Sequence, residues 1–234
     1  TYWQTPEGSR FDSILVFGMQ CAGRRLPRRP PVCHNNRTGV DHHMNPIILF
    51  ALAYFAALLL VAQYLAPPNY SPRRHTISQL ASQGYERKRL MQAGFLIYGV
   101  MFSAALLGIM MRSSAPLYRD IPHLVYGLAL LPTGIFCSMP FLRGLRFSRR
   151  EAHLHALSAK ISCGAFGLGI AVHAMVYQAP EGRLFHVASL AVYFVAALWF
   201  GHTRRNMGAV QRFMYAFGSV WLLVTYGTGM FLAG

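Results

Sequence analysis

The chain has 234 residues, of which 54% are hydrophobic and 12% charged, and its mean hydropathy is +0.32. An ordinary soluble domain carries roughly 25% charged residues, and a soluble globule of this composition would leave large apolar patches uncovered. The 22 lysines and arginines against 7 acidic residues give a net charge of +15. The composition therefore predicts a multi-pass membrane protein and argues against a soluble enzyme.

The cations do not have the distribution expected of a nucleic-acid-binding protein. They stand in short clusters between apolar runs, where cations hold helix ends against anionic lipid. A DNA or RNA reader would instead show a basic face on a soluble fold, with a recognition helix or an aromatic platform. We therefore predict membrane lipids as partners and no nucleic acid.

The first 43 residues differ from the rest of the chain. They contain Arg24-Arg25 and Arg28-Arg29 among several prolines and show no helical or strand period. Met44 stands directly before the first long apolar run. We expect residues 1–43 to be a basic Pro/Arg-rich tail that is disordered or not native, with a basic cytoplasmic tail as the alternative, and residues 44–234 to form the transmembrane domain.

Six apolar stretches have about the 20 residues that a helix needs to cross a bilayer. They cover Ile47–Ala66, Met91–Met111, Ile121–Leu142, Ser158–Tyr177, Phe185–Gly201 and Phe213–Ala233. Pro132 lies within the third stretch, where it predicts a kink. The sequence predicts an all-α integral membrane bundle of six transmembrane helices, whose connections we number one to five in chain order.

Loop one, between the first two spans, is long and carries a helix signal of its own. Thr76 stands three residues before Gln79, which is the spacing of a capping box, and Ile77 and Leu80 follow on one side. This predicts a short amphipathic interfacial helix. Two interpretations stay open: the helix closes over the bundle and binds a lipid headgroup with its hydroxyls and His75, or it only completes a long connection.

The distribution of cations among the loops predicts the orientation of the bundle. Loops one, three and five, with Lys160 just inside the fourth span, hold 13 cations, and the even loops hold 3. By the positive-inside rule, we expect loops one, three and five to be cytoplasmic, in a protein of the inner cell membrane.

Acidic side chains are absent from the predicted spans. None of the six stretches contains Asp, Glu or Arg. Ion-coupled carriers and proton pumps usually place an ionisable acid within the membrane. The sequence therefore disfavours a coupled carrier, although a uniporter stays open.

Three histidines are predicted at similar depth on the even-loop side: His123, His173 and His186, with Asp120 beside them. Our first interpretation is structural: the imidazoles form hydrogen bonds near helix ends, and no cofactor is predicted. Three imidazoles can also hold zinc with one position open for water, which would make the protein a metal-dependent membrane hydrolase with Asp120 as acid or base. As a further alternative, His173 with either His123 or His186 would ligate haem b in a redox protein.

Small residues recur every four positions in the fourth span, at Ala165 and Gly169, and His173 continues the same face. This spacing is typical of close helix contact. It predicts that His173 points into the bundle, and it would also permit a homo-oligomer through this face.

A second set of histidines lies on the arginine-rich side: His75, His153, His155 and His202. We interpret them as solvated loop residues. The alternative is a metal- or phosphate-binding rim.

The residues of loop one resemble a known family. Tyr70-Ser-Pro followed by His75-Thr-Ile-Ser-Gln-Leu, and then Gln92-Ala-Gly-Phe-Leu-Ile-Tyr-Gly99, is similar to the Tyr-Ser-Pro…Thr-Ile-Ser-Glu-Leu…Gly-Phe…Gly pattern of the prokaryotic family catalogued as domain of unknown function 998 (DUF998). Gly134-Ile-Phe136 is similar to the family's Gly-x-Phe-Pro segment. The chain departs from the family with Gln79 in place of Glu and Cys137 in place of the Pro of that segment. The resemblance implies six membrane helices from about Met44 onward and implies no activity.

The functional prediction from the sequence is a multi-pass membrane protein that binds lipid or a small amphiphile without catalysis. It depends on the capped segment and the arginine-rich rim of loop one, and on the absence of patterns such as HExxH or Gly-x-Ser-x-Gly. The predicted ligand-binding residues are Arg73, Arg74, His75 and Ser78.

Overall fold

The computed structural model describes residues 45–113, 115–141, 144–177 and 179–227, which contain six α-helices and no β-strand. The helices are α1 (Pro46–Tyr64), α2 (Lys88–Arg112), α3 (Ile121–Ile135), α4 (Arg149–Val176), α5 (Pro180–His202) and α6 (Met207–Leu222). Short 3₁₀ helices form at Ile77–Ala81 and Leu117–Arg119, and α6 continues as a π-helical turn over Leu223–Gly227. The predictions made for residues 1–43 lie outside the described residues.

Polar caps fix where two of the long helices begin. The Asn45 side chain accepts hydrogen bonds from the backbone N–H groups of Ile47 and Ile48, at 3.1 and 3.4 Å, and Pro46 occupies the first helical position. Ser148 caps α4 by accepting from the N–H of Glu151 at 3.3 Å. Both arrangements satisfy N–H groups that the helix itself leaves without partners.

Four helices are long and apolar enough to cross a membrane: α1, α2, α4 and α5. Their outward faces carry large apolar side chains, such as Leu60 on α1 and Val195 on α5, which are 67% and 63% exposed. In a soluble protein these faces would be an extended apolar surface in water. The chain is a multi-pass membrane protein.

Four predicted spans differ from the observed helices by five residues or more at one end. Helix α5 begins at Pro180 rather than at Phe185, and α6 begins at Met207 rather than at Phe213. The part of the sixth span predicted after residue 227 lies outside the described residues.

The third span was expected to reach residue 142, but α3 ends at Ile135, one turn after Pro132. The chain then runs extended beside loop one, where Ser138 exchanges backbone hydrogen bonds with Ala81 and Gln83, at 3.3 and 3.1 Å. The fourth span was expected to begin at Ser158. Helix α4 begins directly after the Ser148 cap, so the polar residues before the apolar run are helical as well.

The helices form a ring in chain order, each packed against the next, and the π-helical turn after α6 closes the ring against α1. Loops one, three and five meet at one end, which we call the arginine-rich end. There Gln83 donates to the Ser148 carbonyl at 3.0 Å, and Arg73 donates to Asn206 at 2.7 Å. The other end holds the two even connections and the π-helical turn.

Loop one differs from the predicted interfacial helix. The predicted capping box between Thr76 and Gln79 does form, and in it the Gln79 oxygen accepts from the Thr76 N–H at 2.8 Å. The helical part is only the 3₁₀ segment Ile77–Ala81, however, and Ile77 and Leu80 are fully buried against α1, α2 and α6. The segment Ile77–Ala81 therefore fills the interior of the bundle at the arginine-rich end, and we call it the plug.

Candidate functional site

Arg212 on α6 holds loop one in place. Its guanidinium donates to the carbonyls of Pro72 and His75 at 2.7 and 3.0 Å, to the Tyr70 hydroxyl at 2.6 Å and to the Gln63 side chain at 2.8 Å. Such a forked, charge-assisted set fixes geometry better than neutral hydrogen bonds do. Arg212 therefore connects loop one to the last helix at several points.

His75 is part of the loop-one backbone turn. Its Nδ1 accepts a hydrogen bond from the Ser71 N–H at 2.8 Å, so this nitrogen carries no proton. Burial lowers the pKa of His75 below its ordinary value, and the positive charges of Arg74 and Arg212 lower it further. His75 therefore stabilises the turn in its neutral form.

The residues predicted to bind a headgroup do not converge on one point. Arg73 and Arg74 are exposed, and the Arg73 guanidinium is hydrogen-bonded to Asn206. Ser78 is buried, and its carbonyl accepts from the Ser138 hydroxyl at 2.7 Å. Of the four predicted residues, Ser78 alone lines the cavity described next.

A cavity of about 560 Å³ lies between α3, α4, α5 and α6, against the buried segment of loop one. We call it the apolar cavity, because most of its wall is formed by aromatic and aliphatic groups. Its wall includes Thr76, Ser78 and Gln79 of loop one, Tyr126, Leu130 and Thr133 of α3, Ser138, then Ala159, Lys160, Ser162 and Phe166 of α4, Tyr193 and Gly201 of α5, and Gln211, Met214 and Ser219 of α6.

Several polar groups of the cavity wall are already hydrogen-bonded within the protein. Thr133, Ser138 and Ser162 each donate their hydroxyl hydrogen to a backbone carbonyl, at 2.8, 2.7 and 3.4 Å. His155, expected to be solvated, is buried, and its Nδ1 lies 2.9 Å from the Phe136 carbonyl, which can only accept. Its buried Nε2 is then an acceptor that has no partner in the described part of the chain.

The cavity opens sideways between α4 and α5. Ala156, Lys160 and Gly201 all line it and are exposed on the outer face of these helices. Within residues 45–113, 115–141, 144–177 and 179–227, Lys160 forms no ion pair. A molecule could therefore enter from the bilayer, past an uncompensated ammonium group.

The opposite end holds a buried network that we call the histidine cluster: Arg119, Asp120, His123, His173, His186 and Tyr226. Arg119 forms a bidentate ion pair with Asp120, with an N···O distance of 2.9 Å, and both side chains are buried. The Tyr226 hydroxyl donates to Asp120 at 2.9 Å and lies 3.1 Å from His123 Nδ1 and 3.3 Å from His173 Nε2. Asp120 and the three histidines that the sequence places at similar depth therefore lie close together. Tyr226, which was not predicted, contacts Asp120, His123 and His173, and His186 packs against His173.

Aromatic packing fills the remaining space in the histidine cluster. Trp221 stacks on His123 with ring centroids 4.9 Å apart, and the rings of His123 and His173 are 5.3 Å apart. His173 is buried, as predicted, and adding a Cβ to Gly169 would drive it into the His123 ring. The small-residue face of α4 is therefore covered within the chain, and a homo-oligomer, which stays a prediction, would need another surface.

The donors of the histidine cluster do not fit a cofactor in this arrangement. Among the described residues, no three His, Cys, Asp or Glu side chains are placed to hold a metal ion, and Asp120 is engaged by Arg119 and Tyr226. A haem would need a flat gap between its axial rings, which the contact between His123 and His173 does not leave. Zinc and haem stay open as the alternatives to a structural role, and elemental analysis and an absorption spectrum would test them.

Sequence reasoning missed Tyr226, Trp221 and Gln211. Gln211 accepts from the N–H of Ile77 at 2.6 Å. Each of the three belongs to the last helix or its π-helical extension and contacts residues roughly 50 to 130 positions earlier, so no local spacing indicates the contact. A π-helical turn frequently marks a functional site, but it has no sequence signature that could have been recognised here.

A protein-family model described as "Protein of unknown function (DUF998)" matches residues 48–227. This confirms the resemblance found in loop one and extends it over most of the helical bundle. No curated protein and no solved structure matches the chain.

Proposed function

The chain belongs to the DUF998 family, whose description assigns no activity, and we propose from its structure that it binds the apolar chain of a lipid or small amphiphile in the apolar cavity without catalysing a reaction on it. The observation that carries this proposal is the cavity itself. Its volume of about 560 Å³ falls within the range of roughly 300–1,000 Å³ typical of ligand pockets.

The chemistry of the wall supports an apolar ligand. Most lining groups are apolar, and the hydroxyls of Thr133, Ser138 and Ser162 are already satisfied by the backbone. An apolar chain can fill such a space without leaving buried polar groups unpaired. Entry between α4 and α5 would keep that chain in contact with hydrocarbon along its path.

The absence of a reactive pair on the wall supports binding rather than catalysis. The lining residues include no Asp or Glu. His155 is oriented by a carbonyl and contacts no hydroxyl nucleophile through its ring nitrogens among the described residues. General acid–base or nucleophilic catalysis needs such partners within hydrogen-bond reach.

We further propose that all six helices cross the inner cell membrane, with the arginine-rich end in the cytoplasm. At 1.5 Å per residue, α3 alone spans about 22 Å and would be completed by the extended segment after Phe136. Likewise, α6 would be completed by its π-helical turn. The histidine cluster would then be a structural network at the opposite membrane face.

Filling the cavity tests the proposal. Ala159→Trp places an indole in the cavity wall, whereas Ala191→Trp adds the same group to an exposed position of α5 that does not line the cavity. The binding of radiolabelled hexadecanol to purified protein in detergent is measured, because this probe has a long apolar chain and no charge. We expect Ala159→Trp to reduce binding at least about tenfold, with Ala191→Trp equal to wild type.

Thermal unfolding of both variants shows whether each is folded. Equal hexadecanol binding by a folded Ala159→Trp variant and by wild type would refute the cavity as the binding site. If Ala159→Trp does not fold, Met214→Trp on the α6 side of the same cavity replaces it.

A further inference from the structure

Resting on the proposed function, we propose that the bound amphiphile is anionic, with its carboxylate or phosphate against Lys160 at the cavity mouth and its apolar chain inside. Three features of the structure support this: the depth of Lys160 in the membrane, the absence of a protein partner for its charge in the described structure, and a mainly apolar cavity interior without a second cation.

Lys160 lies near the boundary between hydrocarbon and headgroups. Helix α4 has 28 residues and is therefore about 42 Å long at 1.5 Å per residue, whereas the hydrocarbon core is about 30 Å thick. When the Val176 end of α4 is placed at one boundary, the other boundary falls roughly one turn or less from Lys160. Its flexible side chain then reaches the level of lipid phosphates and carboxylates.

The charge of Lys160 has no compensation in the described part of the chain. The ammonium group is exposed at the mouth, no carboxylate lies within ion-pair distance of it, and the cavity wall contains no acid. A cation at the rim of an apolar space is costly unless an anion or water accompanies it. A ligand that brings its own negative charge satisfies this group.

The interior of the cavity excludes the same negative charge. His155 Nε2 is a buried acceptor, and the hydroxyls of Thr133 and Ser138 have used their hydrogens on carbonyls. Apart from Lys160, the lining residues include no Lys or Arg, so an anion in the interior would lose its hydration without gaining a charged partner. The head is therefore restricted to the mouth, and the apolar chain occupies the interior.

A series of ligands with the same chain and different heads tests the inference. The probes are hexadecanol, palmitate, hexadecyl phosphate and hexadecyltrimethylammonium, each below its micelle concentration and at about pH 8, where both acids are ionised. The proteins are wild type, Lys160→Gln, Lys160→Arg and, as the matched control, Lys88→Gln, which removes the chain's other lysine at the same end without touching the cavity wall.

We expect wild type and Lys88→Gln to bind an anionic probe about tenfold more tightly than hexadecanol and to bind the ammonium probe most weakly. Lys160→Gln should remove this preference while keeping hexadecanol binding, and Lys160→Arg should retain it. Preference for palmitate identifies a fatty-acid-like carboxylate, and preference for hexadecyl phosphate identifies a lipid phosphate.

The inference is overturned if hexadecanol or the ammonium probe binds wild type as tightly as the anions, or if folded Lys160→Gln keeps the anionic preference. These outcomes differ from failure of the proposed function, in which hexadecanol does not bind or Ala159→Trp does not affect it. Because the Lys160 side chain is exposed, its replacement is not expected to prevent folding, and a thermal unfolding curve checks this.

Discussion

The Tyr226 hydroxyl connects the end of the chain to two earlier helices. It is fully buried and lies within hydrogen-bond distance of Asp120 before α3, His123 on α3 and His173 on α4. His173 Nδ1 donates to the Gly169 carbonyl at 3.0 Å, and the single hydroxyl hydrogen of Tyr226 is donated to Asp120. A buried polar network of this kind stabilises a structure only when its members are satisfied.

Tyr226→Phe removes this hydroxyl and leaves the aromatic ring in place. Because the buried carboxylate of Asp120 would lose the donor that the hydroxyl supplies, we expect the free energy of unfolding to fall by about 1–3 kcal/mol. Denaturant unfolding in detergent micelles measures the change. Tyr118→Phe, at an exposed tyrosine of the same end, should have no effect, and equal stability of Tyr226→Phe and wild type would contradict a structural network.

His75 predicts a pH dependence for the docking of loop one. Its pKa is lowered in the folded protein by burial and by the charges of Arg74 and Arg212, while in the unfolded chain the pKa is about 6.5. The unfolded state therefore binds more protons as the pH falls, so the contribution of His75 to stability is present above about pH 6.5 and is lost on acidification.

His75→Asn isolates this contribution, because the Asn oxygen can accept the Ser71 hydrogen bond without titrating. We expect the unfolding temperature of wild type to fall more than that of His75→Asn between about pH 7.5 and pH 5. His202→Asn, at an exposed histidine, should keep the wild-type slope. Parallel pH profiles for wild type and His75→Asn would show that His75 does not contribute.

For single residues, the sequence predicts the depth of a side chain in the bundle better than it predicts which residues that side chain contacts. The depth of His123, His173 and His186 follows from where each apolar run begins or ends, and the structure places them together with Asp120. The charge of Lys160 was counted for orientation, but its place at a cavity mouth depends on the packing of α5 and α6. The side chains of Arg73 and Arg74 are exposed because the buried face of loop one carries its apolar residues, and headgroup binding by these residues stays a prediction.

Helix α4 depends on glycine where it passes α3. A Cβ at Gly169 would overlap the His123 ring, which is held between Trp221 and Phe166, whereas Gly164 on the same helix has open space around it. The small-residue spacing therefore indicates a close contact within the bundle. Which helix packs against this face depends on the order of the helices around the bundle, and the spacing of small residues along α4 does not predict it.

Two alanine substitutions on α4 separate packing from helix propensity. Gly169→Ala should lower the free energy of unfolding by about 1–3 kcal/mol, because the His123 ring has no space into which to move. Gly164→Ala should leave stability unchanged or raise it by up to about 1 kcal/mol, because alanine favours the helix. Denaturant unfolding of both variants is the measurement, and equal effects would rule out the close contact with α3.

The apolar runs predict how many helices form but not their ends. Residues 136–141 are apolar enough to extend the third span, yet the chain leaves the helix after Ile135, where Ser138 pairs with the backbone of loop one. In α4 the opposite occurs, because the polar residues that follow the Ser148 cap are helical although they lie outside the apolar run. Hydropathy measures how favourably a segment transfers from water to lipid. The ends of a helix depend instead on capping residues, prolines and competing hydrogen bonds.

The whole molecule has two chemically different ends. The arginine-rich end carries loops one, three and five, closed by the contacts of Arg212 and Gln83, and the opposite end contains the buried pair Arg119–Asp120. Since Arg119 is neutralised inside the bundle, Arg112 and Arg183 are the exposed cations of the even connections in the described structure. The structure thus widens the charge difference on which the predicted orientation depends.

Cysteine labelling of the two ends tests this orientation in intact spheroplasts. With the native cysteines replaced by serine, Arg74→Cys places an exposed thiol at the arginine-rich end, and Leu184→Cys places one near the opposite end. Because the positive-inside rule places the arginine-rich loops in the cytoplasm, we expect a membrane-impermeant maleimide to label Leu184→Cys directly and Arg74→Cys only after permeabilisation. The reverse labelling pattern would mean that the protein has the opposite orientation, with loop one and the cavity mouth at Lys160 on the side of the outer leaflet. The anionic amphiphile would then have to come from that leaflet, and the binding measurements on purified protein would be unchanged.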